Sequence, residues 1–230
     1  MNIIKSFKNL NKFDIILWIF SLIAVTLSFI LSQNFNLLII GASLIGVTAL
    51  IFTAKGDVLG QILIVIFSLL YSVISFQYAY YGEVITYLGM TTPIAILSVI
   101  SWLRHPFKDT NEVEVHKLTK GQKIRLVVFT ILATIVFYFI LKYFGTANLI
   151  ISTLSITTSF SASYLTLYRN SFYATAYASN DIVLIVLWIL ASIENPIYIP
   201  MIICFIVFLI NDIYGFICWR KMKLRQGKSK

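Results

Sequence analysis

The chain has 230 residues, of which 59% are hydrophobic and only 12% are charged, and its mean hydropathy is +0.90. A soluble domain carries about 25% charged residues, so this composition excludes an ordinary water-soluble globule and indicates a protein whose solvent is lipid. Eighteen Lys and Arg residues against nine Asp and Glu residues give a net charge of +9, which in a soluble protein would suggest a nucleic-acid partner.

Eight apolar segments follow one another along the chain, each close to the ~20 residues that cross a bilayer as a helix. They are residues 13–32, 36–54, 58–78, 83–102, 124–142, 147–168, 172–193 and 197–219. The first is too long for the apolar part of a cleaved signal peptide. Because the segments are continuously apolar rather than alternating, they exclude a barrel of strands. We expect one all-α, polytopic transmembrane domain with eight helices, a polar loop at 105–122 and a basic tail at 220–230.

The basic residues are distributed unequally between the two ends of these segments. If the N-terminus lies in the cytoplasm, 17 of the 18 Lys and Arg residues fall at cytoplasmic ends, and Lys142 alone falls outside. Positive charge marks the cytoplasmic side of membrane proteins. The sequence therefore predicts a multi-pass membrane protein with both termini in the cytoplasm. The positive charge therefore no longer indicates a nucleic-acid partner, and the expected partner is the lipid bilayer.

Two parts of the chain resemble each other. Spans two to four and spans six to eight each run from outside to inside, and each group ends in a tryptophan followed closely by a basic residue, at Trp102 and Trp219. Interfacial anchoring is the alternative explanation for these tryptophans. The layout predicts 3+1+3 parallel repeats, 36–102 and 147–219, joined by a linker helix at 124–142. One extra helix at 13–32 precedes this plan, which is that of the SWEET-like sugar transporters.

Two carboxylates lie well inside predicted spans, Asp181 and Asp212, and each directly follows an asparagine, Asn180 and Asn211. Both dipeptides lie about eight residues from the inner end of their span, or ~12 Å deep at the helical rise. A buried Asp in a span costs ~2.5–3.5 kcal/mol, so it is expected to face the bundle interior or a cavity. We interpret the pairs as part of a solute path. Purely structural hydrogen bonding between helices is the alternative.

Helical spacing identifies neighbours for these four residues. Tyr177 and Trp188 share a helical face with Asp181, and polar or aromatic side chains recur in spans three and eight. Close helix packing and an aromatic membrane belt are alternatives for these side chains. Carboxylates and aromatic rings suit a cationic ring, and amides suit hydroxyls and a carboxamide. The predicted solute-binding residues are Asn180, Asp181, Asn211, Asp212, Gln61, Tyr71, Tyr177, Trp188 and Tyr214.

The sequence contains no motif of a nucleotide-binding, hydrolytic or metal-dependent enzyme. Both histidines lie outside the spans, so we expect no catalytic residues, no bound metal and no cofactor. A membrane enzyme that uses the two aspartates as acid and base lacks a His, Lys or metal partner at their depth.

Three stretches of the sequence resemble the bacterial nicotinamide riboside transporters of the PnuC family, most closely its Gram-positive branch. They begin at Gly60-Gln61, Asn180-Asp181 and Asn211-Asp212, and the resemblance covers roughly residues 36–222. It implies uptake of nicotinamide riboside, a precursor of NAD, across the bacterial inner membrane by facilitated diffusion through a SWEET-like fold. It also implies that a separate cytoplasmic kinase traps the solute by phosphorylation. The sequence is compatible with a single working chain and with a homo-oligomer.

The sequence departs from the family at one point. Many members carry a WxxWxxx(N/D) pattern on the helix that corresponds to span seven, and its two tryptophan positions fall on Ala174 and Tyr177 here. A tyrosine ring can still stack on a solute, whereas alanine cannot. Thiamine and riboflavin, carried by related branches, are therefore alternative solutes. Proton-coupled symport through Asp181 or Asp212 is an alternative mechanism.

Overall fold

The computed structural model describes residues 3–31, 37–77, 81–108 and 110–228. These residues are almost entirely helical, with no β-strand among them and only two isolated bridges. The helices are α1 (Ile3–Lys8), α2 (Lys12–Leu31), α3 (Leu37–Ala54), α4 (Val58–Gln77), α5 (Tyr81–Thr86), α6 (Thr92–Leu103), α7 (Lys120–Tyr143), α8 (Leu149–Leu167), α9 (Tyr173–Glu194) and α10 (Ile199–Gly227). A π-helical segment (Tyr87–Thr91) joins α5 to α6, and a short 3₁₀ turn (Pro196–Tyr198) precedes α10.

The prediction of an all-helical, multi-pass membrane protein is confirmed. Within the described ranges, seven helices are long and apolar enough to cross a bilayer. The predicted span 147–168 corresponds to α8, which has 19 residues, but its five Ser and four Thr residues lower its hydropathy. The count of eight spans therefore stays a prediction. Three predicted span ends, residues 32, 36 and 78, lie outside the described part of the chain, and α10 continues through the predicted tail to Gly227.

The fourth predicted span is not a regular α-helix. Five of its residues, Tyr87–Thr91, form the π-helical segment between α5 and α6. Pro93, at the start of α6, has no backbone N–H, and its ring crowds the carbonyl four residues earlier. Such wide turns occur mostly at functional sites because they redirect side chains.

The helices pack in two groups of three. In the first group α4 lies between α3 and α6, and in the second α9 lies between α8 and α10. The two groups contact each other in two places: α3 of the first group packs on α10 of the second, and α6 of the first packs on α8 of the second. Helix α7 packs on α8, where Thr134 and Thr157 hydroxyls lie 2.8 Å apart, and α2 packs on α3 and α10. Parallel repeats would make these contacts, and the repeat arrangement stays a prediction.

One end of the bundle, here called the basic end, gathers the starts of α2, α4, α7 and α9 and the ends of α3, α6, α8 and α10. Trp102 and Trp219 lie at this end, both 0% exposed, with ring centroids 5.4 Å apart. Each indole donates across the interface: Trp102 Nε1 to the Thr166 carbonyl at 2.9 Å and Trp219 Nε1 to the Thr53 carbonyl at 2.8 Å. Complete burial excludes the interfacial-anchor explanation for this pair.

The α3–α4 and α8–α9 connections at the basic end are equivalent turns. Gly56 has φ +66° and Arg169 has φ +53° at the same place in each turn. The side chain of the following residue accepts from the N–H two residues later: Asp57 Oδ1 from Leu59 at 2.9 Å, and Asn170 Oδ1 from Phe172 at 3.1 Å. Glycine suits the left-handed conformation at position 56, whereas Arg169 adopts it with its side chain held by the loop 104–119.

Candidate functional site

The two aspartates predicted to line a solute path meet inside the bundle. Asp181 on α9 and Asp212 on α10 are each 3% exposed, and their carboxyl groups lie within hydrogen-bonding contact of each other. The two helices approach closely beside this pair. A Cβ on Gly215 would lie 3.1 Å from the Tyr173 hydroxyl and 3.6 Å from the Ala174 Cβ. The glycine therefore permits the approach that brings the carboxyl groups together.

Tyrosine side chains surround the carboxyl pair. The Tyr177 hydroxyl lies 3.2 Å from Ser163 Oγ on α8 and within electrostatic range of both aspartates. Tyr87, from the π-helical segment, lies closest electrostatically to Glu83 and Tyr177, and Asp181 is also within range. Its ring centroid is 4.5 Å from that of Tyr71 on α4. The bundle interior thus presents two carboxyl groups beside three phenol rings.

Tyr87 belongs to this site, although sequence reasoning did not select it. Periodicity within a regular helix assigns faces at a fixed angle per residue, and the π-helical segment changes that angle between α5 and α6. Pro93, four residues after Gly89, was the signal in the sequence that could have indicated an interruption.

The two predicted asparagines face different neighbours. Asn180, 7% exposed, accepts a hydrogen bond from Thr158 Oγ1 on α8 at 2.8 Å. Asn211, 1% exposed, donates through Nδ2 to Ser21 Oγ on α2 at 2.9 Å and to the Val207 carbonyl at 2.8 Å. Asn211 therefore lies at the contact between α10 and the extra helix α2, while Asp212, next to it in the chain, lies against Asp181.

Three other predicted residues lie away from the carboxyl pair. Gln61 is buried on α4 and donates to Thr53 Oγ1 at 3.3 Å, toward the basic end. Tyr214 donates to the Asp14 carboxylate on α2. Trp188 packs on Tyr198, at 5.6 Å between ring centroids, toward the opposite end. Of the nine predicted residues, the structure brings Asp181, Asp212, Tyr177 and Tyr71 to one place, with Asn180 bordering it.

One face of α9 carries buried polar atoms that have no hydrogen-bond partner within the described residues. They are Asp181 Oδ2, Trp188 Nε1 and Ser192 Oγ, and their spacing places them along one side of the helix. A buried polar atom left without a partner costs about 1–3 kcal/mol. These atoms can therefore bind donors and acceptors of a solute between the carboxyl pair and the end of the bundle opposite the basic end.

The described residues contain no group of three or more His, Cys, Asp or Glu side chains that could hold a metal ion. The chemistry of the site is that of two carboxyl groups, phenol rings and amides. Such a site attracts a cation, stacks on a flat ring and hydrogen-bonds hydroxyl or amide groups.

Comparisons with known proteins identify the family. The sequence matches the model of the nicotinamide mononucleotide transporter family over residues 36–221. It is 25% identical, over 191 residues, to the nicotinamide riboside transporter PnuC of Neisseria mucosa, covering 81% of this chain and 73% of that protein. The fold matches the crystal structure of the vitamin B3 transporter PnuC with a TM-score of 0.80 at 23% identity, covering 95% of this chain and 94% of that one. The chain belongs to the nicotinamide mononucleotide transporter family, whose members matched here are transporters and not enzymes.

Proposed function

We propose that this protein carries nicotinamide riboside across the membrane and binds it beside Asp181 and Asp212. The carboxyl pair within the tyrosine cluster carries the proposal. Carboxyl groups buried among helices are costly in a bilayer, and such residues mark solute paths. Membership of a transporter family and the likeness to a nicotinamide riboside transporter support the same conclusion.

The chemistry of nicotinamide riboside fits the groups at this site. Its pyridinium ring is cationic and flat, so a carboxylate pairs with its charge and a phenol ring stacks on its face. Its ribose hydroxyls and carboxamide supply donors for the unpartnered Asp181 Oδ2. We assign direct solute contact to Asp181, Asp212, Asn180, Tyr177 and Tyr71, and add Tyr87.

The other predicted residues take supporting positions in this proposal. Trp188 borders the path on α9, and Gln61 borders it toward the basic end. Asn211 and Tyr214 hold α10 against α2, because their hydrogen bonds are to Ser21 and Asp14. They therefore hold α10 in place rather than contact the solute.

We assign the basic end to the cytoplasm of a bacterial cell, because basic residues mark the cytoplasmic side of inner-membrane proteins. Transport is then inward facilitated diffusion, with phosphorylation by a separate cytoplasmic kinase as the trap. The crosswise bonds of Trp102 and Trp219 and the equivalent turns support two parallel repeats that rock about the carboxyl pair.

Direct binding to the purified protein tests the proposal. Isothermal titration with nicotinamide riboside, thiamine and riboflavin is expected to give the highest affinity for the first. Asp212→Asn and Asp181→Asn are each expected to weaken the binding of nicotinamide riboside at least tenfold, which is about 1.4 kcal/mol of binding free energy. Glu194→Gln, which neutralises an exposed carboxylate at the end of α9, is the matched control and should leave the affinity unchanged. Unchanged affinity in both aspartate variants would exclude the site.

Proton-coupled symport is a second candidate, favoured by the contact between the two carboxyl groups. Two carboxylates in contact repel each other unless a proton or a cation lies between them. Uptake into proteoliposomes with and without a pH gradient separates the mechanisms. Equal uptake in both conditions supports facilitated diffusion, and accumulation above equilibrium only with the gradient supports symport.

A further inference from the structure

Residues 112–116 of the loop between α6 and α7 lie extended across the basic end and bond to both groups of helices. The Val113 N–H donates to the Gly56 carbonyl at 2.9 Å, and the His116 N–H donates to the Arg169 carbonyl at 3.0 Å. Gly56 and Arg169 occupy the same position in the two equivalent turns. One short segment thus joins the α3–α4 turn to the α8–α9 turn.

Side chains from the second group of helices hold the same segment. Arg169 Nε donates to the Glu114 carbonyl at 3.2 Å, and Asn170 Nδ2 donates to the His116 carbonyl at 3.1 Å. Burial lowers the pKa of the Arg169 guanidinium, whose charge the Glu114 carboxylate favours. These contacts fix the His116 end of the segment to the α8–α9 turn.

The C-terminal end of α10 holds the other end of the segment. Gln226, 3% exposed, donates through Nε2 to the Val113 carbonyl at 3.0 Å and accepts through Oε1 from the Val115 N–H at 2.8 Å. Glu112 forms an ion pair with Arg225. One glutamine side chain thus satisfies a backbone carbonyl and a backbone N–H of the extended segment, as a neighbouring strand would.

The segment closes the basic end over the tryptophan pair. Val113 is 1% exposed and belongs to the same hydrophobic cluster as Trp102 and Trp219. Trp219 is seven residues after Asp212, so it lies ~10 Å from the carboxyl pair toward the basic end. A solute beside Asp212 therefore meets two buried indoles and then the segment before it reaches the basic end.

Toward the opposite end, α9 presents the unpartnered polar atoms of Trp188 and Ser192. On the outer side of the segment lies a polar cavity of about 650 Å³, lined in part by Thr110, Asn111 and Lys221. Glu112 of the segment lines this cavity.

We propose that residues 112–116 form a latch that holds the gate at the basic end shut, and that solute passage at this end requires the latch to leave the C-terminal end of α10. The proposal rests on the proposed transport function. The reason is geometric: Val113 packs in the cluster of the tryptophan pair and is itself held by Gln226 on α10. The latch therefore uncovers the tryptophan pair only when its bonds to α10 break.

A reversible cross-link tests the latch. Glu112→Cys and Arg225→Cys replace an ion pair whose side chains reach the surface, in a background where Cys204 and Cys218 are replaced by Ser. A short thiol-reactive cross-linker is expected to lower nicotinamide riboside uptake into proteoliposomes at least tenfold, and reductant should restore it. The matched control joins Arg220→Cys to Leu224→Cys, one turn apart at exposed positions of α10, and should change uptake less than twofold. Unchanged uptake in the cross-linked 112–225 pair would overturn the latch.

A second measurement needs no solute. Ala174→Cys, in the same cysteine-free background, places a thiol beneath the tryptophan pair, where Ala174 is 0% exposed. Gln226→Ala is expected to raise its labelling rate at least tenfold when a membrane-impermeant maleimide is applied to everted vesicles. Leu224→Ala, at a 65% exposed position on α10, is the control. An unchanged rate in Gln226→Ala refutes the latch. Faster labelling in a protein that binds no nicotinamide riboside refutes the proposed solute and supports the latch.

Discussion

Replacement of Gly60 by alanine tests the close contact between α3 and α4. A Cβ at this position on α4 would lie 2.4 Å from both the backbone N and the Oγ1 of Thr53 and 2.9 Å from the Ala49 carbonyl oxygen. Non-bonded carbon contacts are favourable at about 3.5–4.0 Å, so α4 must move ~1 Å away from α3. The obstacle is mainly backbone, which cannot turn aside as a side chain can.

The cost of Gly60→Ala can be worked out from these contacts. Overpacking costs about 1–3 kcal/mol and occasionally more, and we take the upper end because the movement also disturbs the Gln61 and Trp219 bonds to Thr53. The better helix propensity of alanine offsets ~1 kcal/mol. A net loss of about 2 kcal/mol lowers the Tm by roughly 4–8 °C in a chain of this size.

Thermal unfolding of the detergent-solubilised protein measures this change. Gly41→Ala is the matched control, because Gly41 lies in α3 and a Cβ there meets no heavy atom of the described residues within 4 Å. We expect the Tm of Gly41→Ala to be unchanged or slightly raised. A Tm for Gly60→Ala within 2 °C of the unmodified protein would refute the α3–α4 contact described above.

Three further predictions concern the basic end. Trp102→Phe and Trp219→Phe each remove one crosswise bond to a buried carbonyl and should lower the free energy of unfolding by a similar ~1–2 kcal/mol; a difference above 2 kcal/mol between them in thermal unfolding would contradict their equivalence. Tyr214→Phe removes the bond to Asp14, and it should lower the Tm while changing nicotinamide riboside affinity less than twofold; a tenfold loss by titration would place Tyr214 in direct solute contact. Lys55→Met leaves the Asp14 carboxylate, 0% exposed, without its ion-pair partner at 3.0 Å. Because the Lys55 side chain is 25% exposed, we expect about 1–3 kcal/mol of destabilisation in thermal unfolding rather than the 3–5 kcal/mol of a fully buried pair. Lys55→Arg should recover most of this loss in thermal unfolding.

Much of the site was predictable because depth is a property of a single helix. Counting residues from the end of a span placed Asp181 and Asp212 at the same level, and the structure brings their carboxyl groups together. The direction in which each neighbouring side chain points was harder to predict. Asn211 and Asp212 are ~100° apart around one helix, so they face α2 and α9 respectively. Sequence spacing cannot assign those partners until the packing of α2 is known.

The amino-acid sequence by itself determined the membrane setting, the positions of the spans and the basic end, because hydropathy and charge act residue by residue along each helix. It also placed two carboxylates in the interior. Tertiary structure decided what surrounds them. Tyr87 joins the site through a π-helical segment. Trp102 and Trp219 pack against each other between the two groups of helices and do not anchor the protein at the membrane surface. It also decided that residues 112–116 lie across both turns. Each of these features depends on contacts between residues far apart in the chain, and such contacts form only when the helices pack.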